Sequence, residues 1–351
     1  MLASNLSPTK SFELSTHKWL KAPAAYYCLL DKEGIIQEQA KGTSAINGGR
    51  AIDEKSQFPL FSISKTFTAI AVLQLQEQGK LSLESSAFDL LPQYNFLDGV
   101  SIRHLLSHQS GLNNPIPISW VHLVEEEEDF DYQRFSFEIL STKAKRKYAP
   151  AQKAVYSNLN YLLLGEIVEK LSGHSFKQYI LEHVLAGNPH IDFKWNNELA
   201  VSGYHEAGIN GWILGLLLDR SKFTEPKRNK LIQFRKNYLN GPSYGGLLAS
   251  PRGLNLHLQG LLQGNGVLSE ASCKLMFTEQ SLGSGKPSGL ALGWFKGALK
   301  GRRYLHHAGG GGGFYLELRV YPEAGLASYL LTNKSGFSDQ RRLDALDVQF
   351  L

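Results

Sequence analysis

The chain has 351 residues, 42% of them hydrophobic and 20% charged, and a formal net charge of +5. That length allows one large domain or two subdomains with a full core, so neither a disulfide framework nor a structural metal is needed to hold it together. Lys and Arg are scattered, and their densest knot, Lys143–Lys147, follows the acidic run Glu125–Glu128. This is a solvated stretch of both signs, unlike the one-sided basic face of a nucleic-acid binder.

The N-terminal residues lack the apolar core of a signal peptide, because Lys10, Glu13, Lys18 and Lys21 interrupt them. No stretch reaches the roughly 18 uninterrupted apolar residues of a membrane span. The expectation is no nucleic-acid partner and no membrane span. The chain is expected to be cytoplasmic as it stands, or periplasmic or secreted if a leader has been removed. Cys28 and Cys273 form no CxxC pair, and Cys28 reads as a buried strand residue within the apolar run Ala24–Leu30.

Ala25–Leu30 predicts a strand, Asp31–Gly34 a turn, and Ile35–Ala40 a second strand. A long helix is predicted to start close to Ser62, with Phe67, Ile70, Ala71, Val72 and Leu73 on its apolar face and Gly79 at its C-terminal cap. Residues 81–235 read as mainly helical, with segments at Ile102–Ser107, Asn160–Leu171 and Phe176–Leu185. The stretch 113–150 mixes proline with acidic and basic clusters and reads as an irregular excursion or lid.

After residue 243 one more helix, Pro251–Gln263, precedes strand-like segments at Ala291–Phe295, Arg303–His307, Phe314–Tyr321 and Leu326–Leu331. Pro322–Gly325 is a hairpin turn, and Asp339–Phe350 suits a closing helix. The fold class expected is α+β: an antiparallel sheet flanked by helices and built from both chain ends. Residues 1–80 and 244–351 would form the sheet subdomain, with 81–243 as an inserted helical subdomain and a cleft between them.

Three short patterns carry chemistry. Ser62-Ile-Ser-Lys65 puts a hydroxyl and an amine one helical turn apart, so a buried lysine of lowered pKa can take the serine proton. Ser7–Lys10 and Ser15–Lys18 repeat the spacing in a polar stretch without the helix that follows Ser62. Tyr156-Ser-Asn158 offers a phenol to relay a proton and an amide to hold a carbonyl, although Tyr238-Leu-Asn240 matches it as well. His307-Ala-Gly309 opens a run of five glycines whose backbone N–H groups could line an oxyanion hole. No Gly-Lys-Ser/Thr follows, so it is not a phosphate loop.

Each pattern alone has a purely structural reading: Ser62 as an N-cap, Tyr156 and Asn158 as capping and packing residues, the glycines as a hairpin. His306 and His307 would face opposite sides of a strand, and His205-Glu206 lacks the second histidine of a zinc-peptidase helix. No metal and no cofactor is assigned.

In order and context, these blocks resemble the serine β-lactamase and penicillin-binding protein superfamily. The closest branch comprises class C β-lactamases, related esterases, D-aminopeptidases and D-alanyl-D-alanine carboxypeptidases. The resemblance runs over about residues 24–335 and includes Phe58–Ala69, Gln78–Leu83, Arg103–Leu112, Tyr156–Gly165, Tyr244–Ser250, Leu292–Trp294 and Leu330–Asn333. It implies that Ser62 is acylated while Lys65 and Tyr156 handle its proton. Asn158 would orient the substrate and Lys65. The N–H groups of Ser62 and Gly310 would form the oxyanion hole, with His307 and Gly309 on the substrate-binding strand.

Two positions depart from the pattern: His307-Ala-Gly309 replaces Lys-Thr-Gly, and Phe61 replaces a small residue. The first shifts the expectation from efficient β-lactam hydrolysis toward esterase or D-amino-acid peptidase or amidase chemistry on a small-molecule or peptide substrate. A non-catalytic binding or regulatory relative is the alternative. Oligomeric state is left open.

Overall fold

A computed structural model describes residues 12–17, 20–115, 119–206, 218–226, 230–264, 267–336 and 341–351. Its main sheet has six antiparallel strands: β1 (Ala24–Asp31), β2 (Ile35–Gly42), β3 (Phe295–Leu299), β4 (Arg302–Gly311), β5 (Phe314–Tyr321) and β6 (Leu326–Thr332). The order across the sheet is β3-β4-β5-β6-β1-β2, so the two ends of the chain meet where β1 pairs β6, with Cys28 opposite Tyr329. The architecture is α+β, as expected.

The alternation of β1 explains why its sequence is apolar throughout. Tyr26, Cys28 and Leu30 enter the main core with Phe67 and Ile70, whereas Ala25, Tyr27 and Leu29 enter a second cluster with Phe12, Leu343, Leu346 and Phe350. Both faces are covered, so neither set of side chains needs to be polar.

Helix α1 (Ser64–Glu77) is buried at every position from Ser64 to Leu75 and forms the axis of the core. It starts two residues after Ser62, which lies in the 3₁₀ turn Phe61–Ile63. The chain enters that turn through Phe61, whose φ is left-handed at +46°. Gly79, at φ +69°, follows the end of the helix in the expected conformation.

Several expected elements differ in extent. The strand expected at Ala291–Phe295 starts only at Phe295, because Gly293 at φ +83° turns the chain against Ala69 of α1. The glycine run is sheet: Gly309, Gly310 and Gly311 pair with Leu316, Tyr315 and Phe314. The 113–150 excursion contains a regular helix, Tyr132–Lys143, capped by Asp131, and a strand, Val121–Leu123. That helix buries only Ser136, Ile139 and Leu140, which leaves too faint a stripe to read in sequence.

The 191–239 region is not helical throughout. It holds short strands, including Tyr204–Glu206 paired with Leu231–Gln233 and Asn237–Leu239 paired with Val121–Leu123. Pairs this short carry no legible period. The closing helix expected at 339–350 is reduced to Asp344–Asp347, and residues 337–340 lie outside the described part. Among the described residues no helix is long and apolar enough to cross a membrane.

The C-terminal turn is fastened to the sheet by a buried ionic network. Arg319 on β5 is fully buried and meets Glu317 at 2.6 Å and Asp344 at 2.6 Å, while Asp347 accepts from Tyr321, Ser328 and Tyr27 at 2.7, 2.7 and 3.0 Å. Glu317 also accepts from the Leu343 backbone N–H at 3.0 Å. Removing Glu317 takes the fully buried acid from Arg319, leaving it to Asp344 and the more distant Asp347, and strips the Leu343 N–H of its acceptor. Glu317→Ala is therefore expected to destabilise the fold by about 3–5 kcal/mol, read as a lowered midpoint in urea unfolding.

Candidate active site

The Ser62 turn is held from three sides. Its left-handed Phe61 is buried and costs roughly 1–2 kcal/mol of backbone strain, so packing has to impose that conformation. Leu60 N–H donates to the Leu247 carbonyl at 2.7 Å, and Leu247 N–H donates to Ser64 Oγ at 3.1 Å. Thr68 Oγ1 donates to the Ser243 carbonyl at 2.6 Å. Residues 243–247 thus clasp the start of α1 and leave Ser62 partly open at its tip.

Lys65 is fully buried one turn along. Its Nζ donates to Ser62 Oγ at 3.2 Å and to the Tyr244 carbonyl at 2.8 Å. The rings of Tyr156, Tyr161 and Tyr244 surround it at 4.9, 5.5 and 5.4 Å. Among the described residues no carboxylate pairs with it. Desolvation therefore pushes its pKa well below the ordinary lysine range, toward a neutral amine that can accept a proton.

Tyr156 brings the second proton group. Its Oη donates to Ser62 Oγ at 2.7 Å and lies 3.3 Å from Asn158 Oδ1. Burial raises its pKa, and the Ser62 hydrogen bond only partly opposes this, so the phenol stays protonated. Ser157 caps the helix Asn158–Ser172, and Asn158 N–H donates to Asn114 Oδ1 at 3.0 Å. No hydrogen bond joins Asn158 to Lys65 among the described residues; the expected contact of Asn158 with Lys65 is replaced by one with Tyr156.

His307 lies on β4, buried beside Tyr156 and Phe295 at ring distances of 6.3 and 5.4 Å. Its Nδ1–H donates to its neighbour's carbonyl, Ala308 O, at 2.9 Å. Burial, with Lys65 nearby, pushes its pKa down to about 3, so it is neutral at pH 7. Strand β3 pairs with β4 only up to His306, which leaves the following residues without a strand neighbour on that edge. There Gly309 comes so close to the nucleophile turn that a Cβ would lie 2.2 Å from the Leu60 carbonyl oxygen, whereas at Gly310 the nearest atom would be 3.6 Å away.

Two further groups shape the site although the sequence patterns assigned them no role. His108, buried with φ +56°, accepts the Ser157 N–H at Nδ1 over 3.2 Å and packs at a tilt against Tyr156 with ring centres 4.6 Å apart. Tyr244 supplies the carbonyl that holds Lys65. Both lie in stretches that carry the family resemblance, but a backbone acceptor and a histidine acting through a neighbour leave no separate signature. Beside Phe61, a cavity of about 420 Å³ is lined by Trp195, Arg235, Asn237, Gly312 and Phe314 among others. The arrangement puts a deprotonation-prone amine and a protonated phenol on one hydroxyl, next to an unpaired strand edge.

Comparison with known proteins shows the family and the fold. The family described as Beta-lactamase matches residues 17–350. A penicillin-binding protein of Bacillus subtilis (strain 168) is 26% identical over 304 residues, 86% of this chain and 66% of the relative. The octameric penicillin-binding protein homologue from Pyrococcus abyssi shares the fold with a TM-score of 0.74 at 20% identity, over 93% of this chain and 73% of that one. The D-amino acid amidase from Ochrobactrum anthropi SV3 aligns with a TM-score of 0.73 at 17% identity, over 92% and 90%.

The close packing of β4 on the Ser62 turn makes a contrast measurable. Gly309→Ala must push the strand away from Leu60 and is expected to lower kcat/KM on a p-nitrophenyl ester about 10²-fold, with the fold retained by circular dichroism. Gly310→Ala, whose added methyl meets only the Phe314 carbonyl oxygen at an ordinary 3.6 Å contact, should stay within a few-fold of wild type.

Proposed function

This chain belongs to the β-lactamase family, and from that premise we propose that it is a serine hydrolase whose Ser62 is acylated by an ester or amide. The observation that carries the reading is the convergence of Tyr156 and Lys65 on Ser62 Oγ, at 2.7 and 3.2 Å. Lys65, its pKa lowered by burial, takes the serine proton in its free-amine form as Oγ attacks the carbonyl carbon. The oxyanion is received by the N–H groups of Ser62 and Gly310. Protonated Tyr156 then passes a proton to the leaving group, and water attacks the acyl-enzyme by the reverse relay.

The substrate lies in the cleft between the chain-end region (1–80 and 244–351) and the inserted region (81–243). A neutral His307 in place of a lysine gives a weak hold on a substrate carboxylate. This favours esters and D-amino-acid amides or peptides over β-lactams as substrates. The fold neighbour from Ochrobactrum anthropi, a D-amino acid amidase, makes D-amino-acid amides the first amides to try.

A fluorophosphonate should leave a single adduct on Ser62 by peptide mass spectrometry, and Ser62→Ala should lower turnover at least about 10³-fold. An adduct elsewhere, or undiminished turnover in Ser62→Ala, would sink the assignment. The pH profile follows from Lys65: the active form is the free amine, so kcat/KM should rise with pH up to the lysine pKa and level off above it. Because burial moves that pKa below the usual 10.5, the rising limb should fall on the acid side of that value. Lys65→Met should lose the limb together with most of the rate.

A further inference from the structure

Far from Ser62, at the other end of α1, three side chains of two ligand types converge. His174, Glu182 and His183 each offer one ligand atom, all within 4.8 Å of one another. His174 precedes the short helix Phe176–Tyr179, while Glu182 and His183 belong to the π-helical turn Ile180–Val184 that continues it. We propose that these three residues form a surface site for a divalent cation of the zinc class, with water completing its coordination.

The ligands are oriented before any ion arrives. His174 Nδ1–H donates to the Ser172 carbonyl at 3.1 Å, which leaves its Nε2 lone pair free, 3.9 Å from Glu182 Oε2. Gln178 Nε2 donates to the other carboxylate oxygen, Oε1, at 2.9 Å. The His183 ring packs on Tyr179 at 4.7 Å and against His174 at 5.6 Å, and the His183 carbonyl accepts from Gln74 of α1 at 2.9 Å. His174 and Glu182 therefore each have a hydrogen-bonded neighbour of the kind that directs ligands in metal sites, while His183 is placed by ring packing and its backbone. The π-turn contributes as well, because its extra residue turns His183 round the helix axis relative to an unbroken α-helix.

Bonds of about 2.0–2.2 Å put neighbouring ligand atoms roughly 3.0–3.5 Å apart. The three groups must therefore close in by about an ångström. They are exposed or half-exposed, so side-chain rotation suffices and the core need not shift. Two imidazoles with one carboxylate suit zinc, cobalt, nickel or copper, and suit magnesium or calcium poorly. The nearest part of α1 is Gln74, ten residues beyond Ser64, about 15 Å along the helix at 1.5 Å per residue. The cation thus takes no part at Ser62; it ties the two ends of the 174–183 segment together over the end of α1.

The test is calorimetric titration of the metal-stripped protein with zinc chloride, accompanied by hydrogen exchange. One saturable site is expected. Affinity should fall at least tenfold in His174→Ala and in His183→Ala but stay unchanged in the control His190→Ala. Amide exchange across 174–184 should slow on zinc addition in wild type and His190→Ala but not in His174→Ala or His183→Ala. Melting temperatures without zinc should match among all variants, which separates lost binding from lost fold. No saturable binding at millimolar zinc, or binding retained in the His174→Ala/His183→Ala double variant, overturns the proposal.

Discussion

Lys65 lies wholly inside the protein, held by a backbone carbonyl and a serine hydroxyl and walled by three tyrosine rings. An ammonium taken out of water costs several kcal/mol unless a carboxylate answers it, and none does here among the described residues. The same packing that closes the core therefore favours the neutral amine beside Ser62. The phenol of Tyr156 is shifted the opposite way by the same burial, because its charged form is the anion. One dry environment thus separates the two groups into an acceptor and a donor of protons.

The contrast with Arg319 shows that burial alone does not set the outcome. Arg319 is as deeply enclosed as Lys65, yet Glu317 and Asp347 face it, and its pKa moves up despite the desolvation that opposes it. Its charge is retained and ties the C-terminal turn to β5. Arg319 and Lys65, both fully buried, therefore differ: Arg319 keeps its charge because acids face it, whereas Lys65, without one among the described residues, is shifted toward the neutral amine.

Geometry at the site depends on three separate stretches meeting. The 243–247 segment clasps the start of α1, the helix Asn158–Ser172 delivers Tyr156 just ahead of its cap, and β4 presses its glycines on the Leu60 carbonyl. The strained Phe61 marks the point where these constraints act together. A side chain at position 309 would hold the sheet away from the turn, which is why the strand edge is glycine where it faces the Ser62 turn.

Much of this was legible in the residues. The Ser62–Lys65 spacing, the Tyr156–Asn158 pair and the glycine run after His307 are local patterns, and their order along the chain carries the resemblance that the family match confirms. The apolar run of β1 and the Phe67–Leu73 stretch of α1 were legible for the same reason, since burial on every side keeps the side chains there mostly apolar. The helix Tyr132–Lys143 and the short ribbons of 191–239 were not, because few of their side chains enter a core. The sequence by itself determined which chemical groups exist and at what spacing, and through its apolar runs the class of fold. Only the tertiary structure decided that Lys65 lacks an acid, that Asn158 serves Tyr156 in place of Lys65, and that His108 and a Tyr244 carbonyl complete the site. Those facts are distances between residues remote in the chain, set by packing, and no local pattern encodes them.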